Sequence, residues 1–573
     1  MKTNNIIRSL LFALPFAVLL SACSEEFIAL ETGKLPDETS FAAVKSSMRS
    51  GHSFSGVTII DIFAQEEGEE PEITTIDELV LTLNKPASKD LTAEIVIGSE
   101  FSAEYRAEVA RRNQQALAYW RKLGGSFPKT EYKSDFFPTA NLQMSAETVT
   151  VKAGKTDSDK IVIKLSNKEL DPETIYSLPL TIVLSDDNGT VIKSEYIIAV
   201  DKLSVTVDNG YVNTKEKIEE MNQELFTVLY LNVEEYQPQA ANVLVYEREY
   251  MDEAYMRHTE YTLAGNVVNL RPSTVGYAPE SQRVIFSLSP DLNYVLENSA
   301  RYIRPLQAAG RKVCICIQGG GKGIGFCNMS DAQIEDFTAQ VKNVVESYGI
   351  DGINLRDEGS GYGTEGFPAM NTTSYPKLIK SLREALPDKL LTLVDKEEPT
   401  EYFHDATLCG GVEVGKYIDY AWHGYAEENQ FLQIIEPWEK ENPYSSFKRK
   451  PIAGLSQDRY GSIVVPRTSA GSGMSFDDEQ QQSLNVFFWK RDGRMKNKMY
   501  VVYADITGRL AGDYEGFPYN RPFTYIGLIA DEALYYELRP NGRWRLKKYK
   551  YNYQVLPMTR HAENTYNAYC KDW

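Results

Sequence analysis

Cysteine is scarce in this sequence, with six in 573 residues. One, Cys23, closes an apolar N-terminal segment. The others are Cys314, Cys316, Cys327, Cys409 and Cys570. That set is odd in number and too small for a disulfide scaffold. Cys314 and Cys316 alternate on one expected strand, a geometry that does not favour a bond between them. Histidine is scarcer still, with five scattered residues. Without a C-x-x-C pair or a His-rich cluster, nothing indicates zinc. No G-x-x-x-x-G-K-[ST] loop indicates a nucleotide. No metal or organic cofactor is therefore expected. Positive charge is also short: 61 Lys and Arg stand against 80 Asp and Glu, for a net charge of −19. Phosphates need a basic surface, so a nucleic-acid partner is not expected. A neutral or weakly polar ligand is easier to reconcile with this balance.

Long apolar runs are absent except at the start. "MKTNNIIRSLLFALPFAVLLSAC" carries Lys2 and Arg8, then apolar residues to Leu20, then small residues ending at Cys23. The run is short for a membrane span and has the form of a signal peptide. "LSAC" resembles the bacterial lipobox, in which cleavage leaves a lipid-modified cysteine. The resemblance implies lipidation at Cys23 and a membrane anchor through buried methylenes. Ser24, Glu25 and Glu26 resemble the surface-export signal of some Gram-negative lipoproteins. The expected location is the outer membrane, facing the exterior.

What is present is an ordered change of rhythm. From about Val57 to Thr206, short segments alternate apolar and polar residues, among them "ELVLTLN" (78–84), "DKIVIKLS" (159–166) and "IYSLPLTIVLSD" (175–186). Turn residues separate them, which predicts an antiparallel β-sandwich. An inserted stretch, 102–125, reads as helix. This part resembles, through weak motifs, the N-terminal sandwich of lipoproteins from polysaccharide-utilisation systems. From about Leu225 the pattern becomes strand, loop, helix. Expected strands are 226–232, 266–272, 312–318, 351–357, 390–394, 419–423, 451–456 and 499–505. Helices are expected at 330–349, with Ser330 and Gln333 as a capping box, and at 475–493. Eight strands with interleaved helices predict a (β/α)8 TIM barrel. A doubly wound open sheet is the alternative. The expected division is a signal peptide over 1–22, an anchored linker over 23–40, a sandwich over 41–206, a linker over 207–224 and a barrel with a C-terminal tail over 225–573.

Function in such a barrel collects at the C-terminal ends of the strands. In "DGINLRDE" (351–358), Ile353, Leu355 and Asp357 share one face, and Asn354, Arg356 and Glu358 the other. The apolar pair should pack against helices and the polar set should point inward. This strand resembles the D-G-x-D-x-D-x-E strand of glycoside hydrolase family 18. "YIRPLQAAGRKVCICIQGGGKGIGFCNMSDAQIEDF" (302–337), "DYAWHGY" (419–425) and "MYVVYADITGRLAGD" (499–513) resemble further strands of its endo-β-N-acetylglucosaminidase branch. The resemblance covers roughly 225–535.

It implies a retaining mechanism in which the glutamate protonates the leaving oxygen and the substrate's own acetamide attacks the sugar. By position, Asp351 matches the first motif aspartate and Glu358 the general acid/base. Asn354 replaces the middle aspartate, and Arg356 replaces the one that handles the acetamide. A guanidinium there opposes a cationic transition state, at a cost on the order of several kcal/mol for an effective dielectric of about 20. An Arg356–Glu358 pair would also favour the carboxylate, the reverse of what an acid needs. The site is therefore expected to bind a glycan with lost or much reduced hydrolysis. An active endo-β-N-acetylglucosaminidase, with Asp357 turned inward as a substitute, and a docking subunit are the alternatives. Candidate binding residues are Gln318, Asn354, Arg356, Asp357, Trp422, Tyr425, Tyr503 and Asp505. Gly319 to Gly321 would let backbone approach a ligand or serve a tight turn. The expected partners are a GlcNAc-containing glycan or glycoprotein, the membrane, and an outer-membrane uptake complex. The tyrosine-rich tail, 547–570, reads either as added binding surface or as the last helix.

Overall fold

The computed structural model describes residues 44–49, 53–54, 57–63, 65, 70–98, 133–171, 174–185, 191–203, 225–251, 257–263, 265–424, 433–439, 448–465, 499–503, 535–538, 544–547, 552–557, 571 and 573. Cys23, Tyr425, Asp505 and the expected helices at 102–125 and 475–493 lie outside these residues.

Two sheets fill the N-terminal part, one of four strands and one of seven. Ile161, Ile163 and Leu165 alternate inward on one sheet, and Leu178, Leu180, Ile182 and Leu184 on the other. They meet in a single core. Each fully buried aliphatic side chain contributes about 1.5–3 kcal/mol. The seven-stranded sheet is mixed rather than antiparallel. Val191–Leu203 pairs parallel with Val57–Phe63, and Thr174–Ser185 pairs parallel with Lys133–Phe136.

The C-terminal part is an α/β fold with a curled, mainly parallel sheet. Its strands are β1 (Leu225–Asn232), β2 (Val267–Ala278), β3 (Lys312–Gly319), β4 (Gly352–Arg356), β5 (Leu390–Asp395), β6 (Tyr420–His423), β7 (Tyr460–Gly461), β8 (Ile463–Val465) and β9 (Met499–Tyr503). They pair in order from β1 to β7, and β8 pairs with β9. The curl brings β9 back beside β1, with Leu225 opposite Met499. Alternation along each strand divides the side chains between two cores. Val228, Tyr230, Cys314, Cys316, Val394, Trp422 and Val464 fill the inner face. Leu229, Val268, Ile315, Ile353, Leu355 and Leu393 pack outward. They meet the apolar stripes of α2 (Asp331–Ser347) and α3 (Ser374–Ala385), which follow α1 (Pro290–Glu297). The Ser330 hydroxyl accepts from Gln333 N, and the Gln333 side chain accepts from Ser330 N at 2.9 Å, so the capping box is formed. Gly349, at φ 61°, lies just beyond the last turn of α2.

Arg304 ties the two parts together. Only 3% exposed, it donates to Leu83 O at 3.2 Å and Asn84 O at 2.8 Å on one side, and to Tyr348 O and Gly349 O on the other. Burial lowers its pKa to about 10, so it stays charged at neutral pH.

Two expectations change. Residues 451–456 form a turn, not a strand. Gly454 takes φ 82°, and Leu455 N donates to Ile452 O at 3.1 Å, which closes the chain on itself. Ile452 and Leu455 still face the core, which explains the apolar pattern. The strand pieces come later, as β7 and β8 with Ser462 between them. The tail, read in part as helix, has a strand over Asn552–Pro557 that pairs with Leu244–Met251.

Candidate functional site

The site is built where β3, β4 and β5 end side by side. Gln318 is in register with Arg356, and Asn354 with Thr392. Asn354 lies fully buried beneath the end of β4. It accepts from Tyr230 OH at 2.8 Å and donates to Thr392 Oγ1 at 2.8 Å. Trp422 Nε1 donates to Tyr230 OH at 3.0 Å. This chain of hydrogen bonds crosses the interior from β6 to β5 and satisfies each buried polar atom that it joins.

Arg356 and Glu358 follow on the same face. Arg356 Nε donates to Glu358 Oε2 at 2.5 Å, and its guanidinium sits over the Tyr230 ring, 5.8 Å from the centroid. The other oxygen, Oε1, accepts from Lys396 Nζ at 2.7 Å. Lys396 is 6% exposed at its side chain and Glu358 35%. Burial alone would raise the Glu358 pKa. Arg356 and Lys396 outweigh it, and the net direction is downward. Burial would likewise lower the Arg356 pKa, but Glu358 drives it upward. Both oxygens of Glu358 thus accept from cationic donors. A carboxylate held this way accepts hydrogen bonds from hydroxyl or amide groups and is poorly placed to give up a proton.

Beside this cluster, Asp395 is 1% exposed and forked by the Arg449 guanidinium, through Nε at 3.1 Å and through Nη2. Tyr460 OH at 2.9 Å and Thr400 Oγ1 at 2.7 Å also donate to it. His423, 1% exposed, has its pKa pushed down to about 3 by burial and then by Arg449, so it is neutral.

Asp357 faces the opposite way from Glu358. It accepts from Ser360 Oγ at 2.5 Å and Tyr362 OH at 2.6 Å, and Cys327 Sγ lies 3.3 Å from it. It is not turned inward, because those partners lie behind the strand. The glycine-rich loop after β3 lies along the loop after β4. Gly319 N donates to Glu358 O, and Gly321 N to Gly359 O, each at 2.8 Å. A Cβ on Gly319 would fall 2.3 Å from Ser360 N and 2.6 Å from Glu358 O. The glycine therefore serves the close approach of two backbones. Gly319→Ala is expected to displace the loop that carries Glu358 and to cost about 1–3 kcal/mol. A thermal unfolding midpoint equal to that of the parent protein would refute this. Gly361, Gly363 and Gly366 fit the spacing G-x-G-x-x-G. They lie in the loop after β4, well short of the helix at Ser374, and so lack the context of a dinucleotide site.

The structure brings together Gln318, Asn354, Arg356 and Glu358. Asp351 lies at the other end of β4, accepting from Val313 N at 2.9 Å and Gln307 Nε2 at 2.7 Å. Trp422, a candidate binding residue on β6, is closed off from a ligand. It is 1% exposed, packed edge to face with Tyr230 at 6.5 Å, and offers no open face in this structure. Tyr503 ends β9, at the same end of the sheet. Sequence reasoning missed Lys396, Tyr230, Thr392 and Arg449. Lys396 had a signal. Extending the register of Asn354 opposite Thr392 puts Glu358 opposite Lys396 on the inner face.

Known proteins resemble this chain over parts of its length. A family model described as a "-like, N-terminal domain" matches residues 57–189. An endo-β-N-acetylglucosaminidase of Flavobacterium sp. is 33% identical over 186 residues, covering 32% of this chain and 52% of that protein. Endo-β-N-acetylglucosaminidase F1 of Elizabethkingia meningoseptica is 31% identical over 163 residues, 28% of this chain and 47% of that protein. The chain spans about half the length of the curated relatives it matches. Among solved structures, Bacteroides thetaiotamicron EndoBT-3987 with a Man5GlcNAc product aligns over 80% of this chain and 89% of that one. Its identity is 18% and its TM-score 0.37, too low to carry weight by itself. By sequence, then, about a third of this chain is similar to about half of two bacterial endo-β-N-acetylglucosaminidases.

Proposed function

We propose that this protein captures GlcNAc-containing glycans, best represented by N-glycans, without cutting them efficiently.

 The observation that carries this reading is the double clamp on Glu358: Arg356 on one oxygen, Lys396 on the other. The names of the two curated relatives supply the glycan class. An ionised Glu358 accepts hydrogen bonds from sugar hydroxyls or the acetamide N–H. Gln318 lies beside it on β3, and Tyr503, the last residue of β9, together with Asp505 two residues further along the sequence, would complete the contact. The curled sheet is read as a closed (β/α)8 barrel, with β7 and β8 as the two halves of its seventh strand, and the two N-terminal sheets as a sandwich spacer. Lipidation at Cys23 would hold the chain at the outer membrane, exterior face, where it would hand glycans to an uptake complex.

The competing reading is an active endo-β-N-acetylglucosaminidase. It is favoured by the survival of Glu358, partly exposed at the end of β4. The two readings separate when the unmodified protein meets a glycoprotein bearing N-glycans. Capture predicts measurable binding by calorimetry and little free glycan by mass spectrometry. Rapid, complete glycan release would establish the enzyme instead. Neither binding nor release would leave the docking role.

A further inference from the structure

Arg356 is the charge-reversing departure from the family 18 strand that this segment resembles, but it is not the only cation on Glu358. We propose that Lys396 is a second, independent lock on this carboxylate, so that two residues separate the site from a proton-donating one. The inference rests on the capture reading above and specifies what maintains it.

The geometry is set by strand register. Thr392, Val394 and Lys396 alternate along the inner face of β5 and its extension. Asn354 stands opposite Thr392, so four residues further on each strand Glu358 meets Lys396. The lysine is almost wholly buried, and its ammonium lies 2.7 Å from Oε1. Arg356 occupies Oε2 at 2.5 Å. Neither cation needs the other in order to reach Glu358. Removing one leaves a charge-assisted hydrogen bond from the other, which still favours the ionised form. Arg271 from β2 is a further cation in this neighbourhood, acting on Cys316 as Arg356 does; the thiol and phenol near Glu358 are Cys316 from β3 and Tyr230 from β1. Both are buried, with pKa values raised chiefly by burial, and so remain neutral at neutral pH. No described carboxylate opposes the two cations at Glu358 itself: Asp357 faces away, and Asp395 is engaged by Arg449. Lys396 is therefore a positioning residue, acting on the sugar's environment through Glu358.

The consequence is specific. Restoring the motif aspartate with Arg356→Asp removes one lock and leaves the second closed. The test compares Arg356→Asp, Lys396→Met and the double variant with the parent protein. Two readouts are used. The first is glycan release from an N-glycosylated protein across pH. The double variant is expected to release glycan at least about tenfold faster than Arg356→Asp, one pH unit of carboxyl protonation corresponding to about a tenfold change in population. Equal rates for the single and double variants would overturn the proposal. The second readout needs no glycan: the infrared carboxyl band of Glu358, isolated by subtracting the matching Glu358→Gln protein. Lys396→Met is expected to move its protonation upward by about one pH unit, and Lys396→Arg to leave it low. An unmoved band in Lys396→Met would overturn the proposal even if no variant cuts. If Lys396→Met does not fold, Lys396→Gln is read in the same way. Failure of the parent protein to bind any glycan would count against capture, while the infrared result would still decide the lock.

Discussion

Replacing Glu358 by glutamine is expected to lower the unfolding midpoint of this protein, not raise it. In a site that keeps a buried acid poised to donate, removing the carboxyl often costs no stability, because such residues are strained for function. Here Glu358 is the counter-ion of two cations. Arg356 is 17% exposed at its side chain and Lys396 6%. Glutamine would leave one of its ends facing a cation with no charge to offset. Breaking a fully buried pair costs about 3–5 kcal/mol. Glu358 is about a third exposed, so solvent screening reduces this, and about 2 kcal/mol is expected. The pH dependence has a definite sign. The folded Glu358 pKa lies below its ordinary value of 4.5. Its contribution is fully present above that value and is lost as pH falls through the folded pKa. The gap between parent and Glu358→Gln should hold steady near neutral pH and close in acid. Thermal unfolding followed across pH checks both statements. A variant as stable as the parent would remove the counter-ion role.

The second large effect is expected at Arg449. Its guanidinium is 8% exposed and forks Asp395, which is 1% exposed. Burial opposes the charge on Arg449, and Asp395 more than restores it. Arg449→Ala would leave Asp395 with only the Tyr460 and Thr400 hydroxyls. The expected loss is about 3–5 kcal/mol. Asp395→Asn should cost a comparable amount by stranding the arginine. The two residues share one interaction, so the double variant should lose less than the sum of the single losses. Strict additivity in that cycle would show that the pair is not coupled. Because Asp395 directly precedes Lys396, loss of the fork should also loosen the lysine on Glu358 and weaken glycan binding.

The parts of the fold legible in the sequence were those written locally. Alternation marked β1 to β6, and the Ser330–Gln333 box marked the start of α2, because both signals lie within one element. The pairing of Arg356 with Glu358 was legible for the same reason: two residues apart on a strand means one face. Contacts across the curl were not. Trp422 looks like a residue at the mouth when β6 is read alone. It is buried because Tyr230, from β1 on the far side of the sheet, takes its indole N–H. The segment 451–456 carries strand-like apolar spacing, yet Gly454 turns it. Arg449 cannot be assigned to Asp395 from spacing, since 54 residues separate them. Lys396 lies between these cases. Its alternation is local, but its partner appears only once β4 and β5 are set in register.

The central claim is that Glu358 is a held carboxylate and not a poised acid. The most direct measurement is the infrared difference spectrum between the parent protein and Glu358→Gln, followed as pH falls from neutral. The account predicts that the protonated-carboxyl band of Glu358 appears only below the ordinary glutamate value of 4.5. A band already present well above that value would show a glutamate ready to donate its proton, and would contradict the account.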